Sequence, residues 1–134
     1  MRIEDVEGIG PAFAAKLTEA GVATTEALLE RGASSAGRDR LSETTGISER
    51  LLLEWVNHAD LMRINGVGAE YADLLEAAGV DSCAELARRN AANLATTFQE
   101  LDAARPDTVR QVPSEKTIQG WIEQAGSLAR IVSH

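Results

Sequence analysis

The sequence predicts an all-α chain of two tandem repeats of about sixty residues each, packed as one compact domain, and three observations predict it. A seventeen-residue phrase is written twice, VEGIGPAFAAKLTEAGV at 6–22 and INGVGAEYADLLEAAGV at 64–80, an offset of 58. A second correspondence follows at an offset of 66, where SERLLLEWVNHA (48–59) matches SEKTIQGWIEQA (114–125). Finally, no segment alternates apolar and polar residues long enough to argue for a strand, whereas apolar residues recur at helical spacing. The change of offset implies about eight extra residues in the second copy, placed in ARPDTVRQVPS (104–114).

Taken in order, Pro11 suits the first turn of a helix running to about Ala20, with Gly21 in the place of a C-terminal cap. Thr24 or Thr25 caps a short helix ending at Gly32, a third helix covers about 35–45 and stops at Gly46, and Ser48 caps the helix that carries Trp55. The second copy repeats the pattern with helices near 69–78, 82–89, 91–104 and 114–128. Leu52, Trp55, Val56 and Ala59 form one apolar stripe, as do Ile118, Trp121, Ile122 and Ala125. Both tryptophans are therefore expected in the core. The two repeats are drawn at 1–61 and 62–134, with the helix 48–61 serving both.

Bulk composition narrows the function classes. With a net charge of −8, the chain is unsuited to coating duplex DNA by counterion release alone, although a local patch remains open. No apolar run approaches the roughly 18 residues that a membrane span requires. No secretory leader is visible in MRIEDVEG, so a cytoplasmic protein without a membrane partner is expected. Cys83 is the single cysteine, which excludes an internal disulfide and any cysteine-based zinc site. It aligns with Thr25 and reads as a small, partly buried residue.

The glycine pairs carry the chemistry. Gly8-Ile9-Gly10 and Gly66-Val67-Gly68 each place one aliphatic plug between two glycines and lead into a helix. Paired glycines let the backbone turn through conformations closed to other residues. The amides that follow are the free donors of a helix N-terminus, and with the helix dipole they form an anion site that needs no basic side chain.

VEGIGPAFAAKL and INGVGAEYADLL resemble the helix-hairpin-helix motif, aliphatic-x-Gly-aliphatic-Gly followed by an amphipathic helix with a small residue four positions on, here Ala14 and Ala72. Over nearly its full length the chain is similar to a bacterial domain family of unassigned function built from two such units. The resemblance implies tandem helix-hairpin-helix-type repeats that contact the sugar–phosphate backbone without reading sequence. Carried over, the contact residues are Gly8, Ile9, Gly10, Ala12 and Phe13 in the first copy and Gly66, Val67, Gly68, Glu70 and Tyr71 in the second, with Lys16, Arg2 and Arg63 as supporting cations. The sequence departs from the motif where DNA-binding versions place Lys, Arg or Thr: it has Pro11-Ala12 and Ala69-Glu70, with Glu7 before the first hairpin. The first copy also lacks a full helix before its hairpin.

Other constellations are weaker. LSETTGISERLLLEW (41–55) resembles a helix-turn-helix, but Glu49 and Glu54 oppose DNA, only Arg50 could read bases, and the apolar face is taken by Trp55. His58 and His134 form no metal or catalytic motif, and Glu70, Asp73 and Glu76 read as a solvated helix face. Neither catalytic residues, nor a metal site, nor a cofactor, nor a small-molecule substrate is expected. The reading is a non-enzymatic module that binds nucleic-acid backbone weakly and without sequence preference. The alternative is a protein-interaction scaffold that keeps the fold and has lost DNA binding.

Overall fold

The computed structural model describes residues 1–106 and 109–134; Asp107 and Thr108, within the expected insertion, lie outside the described residues. The protein is all-helical. A single 3-10 turn, Ile3–Asp5, precedes α1 (Pro11–Glu19), α2 (Thr25–Gly32), α3 (Ser35–Thr45), α4 (Glu49–Leu61), α5 (Ala69–Ala77), α6 (Cys83–Leu86), α7 (Ala91–Ala104) and α8 (Glu115–Ser127). Among the described residues the only β feature is an isolated bridge between Arg2 and Thr24. The chain divides into two units, Met1–Asp60 with Ile131–His134, and Leu61–Arg130. The last four residues, which close the second repeat in sequence, thus belong to the first unit.

Hydroxyl and amide caps decide where the helices begin. Thr24, Ser34, Ser48, Ser82, Asn90 and Ser114 each accept a backbone N–H from three residues on, at 3.0–3.3 Å. Each satisfies one of the four orphan donors of a helix start, worth about 1 kcal/mol. Left-handed glycines end three helices: Gly46 (φ 75°) after α3, and Gly21 and Gly79 (both φ 89°) after α1 and α5. Behind them, the Val22 amide donates to Leu17 O at 2.8 Å and the Val80 amide to Leu75 O at 2.9 Å. Arg31 and Arg89 close the same corners by donating to Ala20 O and Gly79 O, each at 3.0 Å.

One helix is shorter than its sequence pattern. The stretch 82–89 is helical only over Cys83–Leu86, because the Arg88 and Arg89 amides turn back to Glu85 O and Leu86 O in tighter three-residue steps. Asn90 then caps α7.

In the first unit, Leu17, Leu28, Leu41, Leu52 and Trp55 are all 0–1 % exposed. In the second, Leu75, Leu86, Phe98, Ile118 and Trp121 anchor the core. Phe13 packs on Trp55 with ring centroids 5.1 Å apart and a 58° tilt, and Tyr71 packs on Trp121 at 5.2 Å and 52°. Such tilted pairs add about 0.5–1.5 kcal/mol to simple burial. Both tryptophans are core residues, as their spacing predicts.

The C-terminal residues are held by a buried cation. Arg38 donates to Gly32 O (2.9 Å), Ala33 O (3.1 Å) and Ser133 O (2.8 Å), while the Ser133 amide donates to Ala33 O at 2.8 Å. Val132 is buried and His134 Nε2 lies 3.0 Å from Asn57 Oδ1. Burial lowers the pKa of the Arg38 guanidinium from its ordinary value, and the field of Glu49 acts in the opposite sense. Arg38→Met keeps the apolar stem but removes the guanidinium from Gly32 O, Ser133 O and Ala33 O, of which Ala33 O keeps the Ser133 amide. It is expected to cost about 2–4 kcal/mol in urea denaturation, and a loss below about 0.5 kcal/mol would show that the guanidinium does not hold this corner.

Candidate nucleic-acid interface

The two glycine turns are built alike. The Val6 and Ile9 amides donate to Ile3 O and Val6 O at 3.2 and 3.1 Å; the Ile64 and Val67 amides donate to Leu61 O and Ile64 O at the same two distances. Ile9 and Val67 are 5 % and 3 % exposed, which confirms them as plugs. In place of a full helix before the first turn stands the 3-10 turn Ile3–Asp5. It is tied to the start of α2 by Ile3 N–H to Ala23 O (3.0 Å) and Thr25 N–H to Met1 O (2.9 Å).

The two glycines of each pair differ in what they do. Gly8 and Gly66 have φ of 91° and 96°, in the left-handed region, and a Cβ there would stand 3.3 Å from the indole Nε1 of Trp55 or Trp121. Gly10 and Gly68 have φ of −80° and −93°, which any residue adopts, and a Cβ on either would meet nothing within 4 Å. The expectation that both glycines supply a conformation closed to other residues is corrected for the second one.

The first helical amides follow. Ala14 N–H donates to Gly10 O and Ala72 N–H to Gly68 O, each at 2.9 Å, as the first bonds of α1 and α5. Before them, the amides of Ala12 and Phe13 have no acceptor among the described residues, and neither do those of Glu70 and Tyr71. Pro11, at the first position of α1, has no N–H to offer.

Here the copies part. The glycines of both turns are exposed and Phe13 and Tyr71 are both half-buried, but Pro11 and Ala12 are exposed where Ala69 and Glu70 are half-buried. Glu70 accepts the Arg110 amide at 2.6 Å, and the Tyr71 hydroxyl donates to Gln111 O at 2.8 Å. Gln124 clasps the second turn from α8, accepting the Asn65 amide at 3.0 Å and donating to Asn65 O at 3.3 Å. The segment around 109–112 therefore lies over the first turn of α5, and α1 has no such cover among the described residues of its unit. The expected solvated face of Glu70, Asp73 and Glu76 is half-buried instead.

The supporting cations are also unequal. Lys16 is exposed on α1 and Arg2 is exposed beside Thr24. Arg63 is half-buried and donates to Ala129 O at 3.0 Å, so part of its donor capacity is spent within its own unit. Exposed Glu4, Asp5 and Glu7 flank the first turn. In the helix-turn-helix-like stretch, Leu41, Ile47, Leu52 and Trp55 are buried, so its apolar face is a packing face. Cys83 is fully buried.

Gly8→Ala and Gly66→Ala are each expected to lower stability by about 1–3 kcal/mol, through strained φ and crowding of the indole. Gly10→Ala and Gly68→Ala are expected to stay within about 0.5 kcal/mol of the parent. Thermal and urea melts of the four variants check this, and equal losses at all four positions would contradict the division of roles.

No curated protein and no solved structure is similar enough to this chain to count as a match. A family signature does match, over residues 7–128, which takes in both glycine turns and both tryptophan helices. On that match the chain belongs to the family described as "Domain of unknown function (DUF4332)".

Proposed function

We propose that this protein is a non-enzymatic binding module of the helix-hairpin-helix kind that holds nucleic-acid backbone weakly and without reading sequence, and that it does so through the first hairpin. The observation that carries the reading is the open first turn of α1, where the Ala12 and Phe13 amides have no acceptor among the described residues. A helix start presents about half a positive charge along with those donors. Lys16 lies on the same helix and Arg2 precedes the turn. The second hairpin contributes less, because its first helical turn carries the carboxylate of Glu70, bonded to the Arg110 amide, where the first has the neutral Ala12.

The net charge of −8 sets the strength. At about 0.1 M salt the Debye length is about 10 Å, so distant carboxylates are largely screened and the local geometry decides. Contact with two or three phosphates would make the affinity fall about 10- to 40-fold between 50 and 200 mM salt. A fluorescence-anisotropy titration with short duplex and single-stranded DNA measures this. Gly10→Val combined with Lys16→Glu is expected to lower affinity at least tenfold, because valine shades the amides without straining the turn. Gly68→Val is expected to leave it unchanged. Undiminished binding by the folded double variant would contradict the reading.

A second reading, a protein-interaction scaffold, is favoured by the exposed Glu4, Asp5 and Glu7 beside the hairpin, which oppose a polyanion and suit a cationic partner.

A further inference from the structure

Residues 131–134 belong to the first unit, although they follow the last helix of the second. Ile131, Ser133 and His134 are exposed, and Val132 between them is buried at 2 % exposure. The segment is held largely by its main chain. The Ser133 amide donates to Ala33 O and the Ser133 carbonyl accepts from Arg38 Nη2, both at 2.8 Å. The Ser133 hydroxyl adds a longer bond to Ala33 O at 3.3 Å, and His134 Nε2 lies 3.0 Å from Asn57 Oδ1. One buried side chain between exposed neighbours, with bonds to the backbone beside it, is how a folded domain holds a bound peptide.

The receiving corner is built from contacts that do not involve the segment. Between α2 and α3 the chain packs so closely that a Cβ at Gly32 would meet Val56 Cγ2 at 2.6 Å, and one at Gly37 would strike the Arg31 carbonyl oxygen. Arg38, 4 % exposed, donates through Nη1 to Gly32 O and Ala33 O, and these two bonds aim Nη2 independently of Ser133. Asn57, 7 % exposed, stands on α4. If the segment lifted away, Arg38 Nη2 would lose its Ser133 acceptor, and a buried charged donor favours recapture of a carbonyl. On the near side, Ala129 O accepts from Arg63 at 3.0 Å within the second unit. Two residues, Arg130 and Ile131, therefore separate that hold from the buried Val132.

We infer that the α2–α3 corner of the first unit is a peptide-binding site, and that residues 131–134 are its tethered ligand, a strap that opens and closes while the unit stays folded. The site takes an aliphatic residue followed by one whose amide and carbonyl are both free to bond. In trans its occupant is the same segment of a second copy of this chain, which carries the same residues and makes the same contacts. One buried valine and a few hydrogen bonds give a trans affinity of about 0.1–1 mM. The short tether supplies an effective concentration of about a millimolar, so the closed strap outweighs the open one by only about 1- to 10-fold. The inference does not rest on phosphate binding by the hairpin, whose donors lie at Ala12 and Phe13.

Two measurements test this. In native-state hydrogen exchange of the full chain, the Ser133 amide is expected to exchange through local opening, with protection of about tenfold or less. The amides of Leu52 and Trp55 are expected to be protected at least a hundredfold more strongly. The second measurement is an NMR titration of the full-length Val132→Asp variant, whose own segment is kept out of the site, with a peptide of residues 128–134 (LARIVSH). Shifts that saturate at Ala33, Arg38 and Asn57 are expected. The parent chain is expected to bind the peptide at least twofold more weakly, because its own segment competes. A peptide N-methylated at the serine lacks the donor to Ala33 O and is expected to bind at least fivefold more weakly. Four results would overturn the proposal: a Val132→Asp chain that fails to fold, no saturable binding by that variant, equal binding of the N-methylated peptide, or a Ser133 amide as protected as those of α4. The last would make the segment a fixed part of the fold rather than a strap.

Discussion

The contact between a left-handed glycine and an indole edge fixes the rest of each unit. At Gly8 and Gly66 the backbone must take a positive φ while Trp55 or Trp121 lies so close that even a methyl group would crowd its Nε1. That contact sets where the turn sits on the tryptophan helix. The plug, Ile9 or Val67, then points into the core, and the following helix lays Phe13 or Tyr71 against the same indole. The hairpin, the aromatic pair and the helix that leaves the hairpin are thus parts of one packing arrangement. Changing the glycine would strain all three, which is why a turn of this kind can persist for folding reasons alone.

Function therefore has to be read from what the packing does not require. The second glycine of each pair has ordinary backbone angles and open space around it. Nothing in either fold unit demands glycine there, and a side chain would stand over the amides of the next turn. The turns that follow differ: Pro11 and Ala12 are exposed, whereas the Glu70 and Tyr71 side chains bond the connection from α7 to α8. The longer connection of the second repeat thus meets the helix after its hairpin, and no such segment meets α1 among the described residues of its unit.

The helices were legible in the sequence because each carries its own punctuation. Thr24 and Ser48 cap, Gly21 and Gly46 terminate, and the tryptophan stripes announce a buried face. The plugs and both tryptophans were equally plain from spacing. Other features depend on contacts between segments far apart in the chain, which periodicity does not encode. Arg38 looked like any surface arginine of α3, and only the return of residues 131–134 to Ala33 makes it a buried cation. Glu70 read as part of a solvated face because its partner, Arg110, stands forty residues away, as does Gln111, which accepts from Tyr71. The one available signal was the spacing of Val109 and Val112 in a connection seven residues longer than its counterpart.

The central claim is that the two hairpins share a geometry but not a function, and that only the first grips phosphate. An NMR amide titration with a short DNA duplex at low salt tests it most directly, because it reports both turns in one sample. The account predicts shifts that saturate at Gly10, Ala12, Phe13 and Lys16, with Gly68, Glu70 and Tyr71 unmoved. Equal shifts at both hairpins, or none at either, would contradict it.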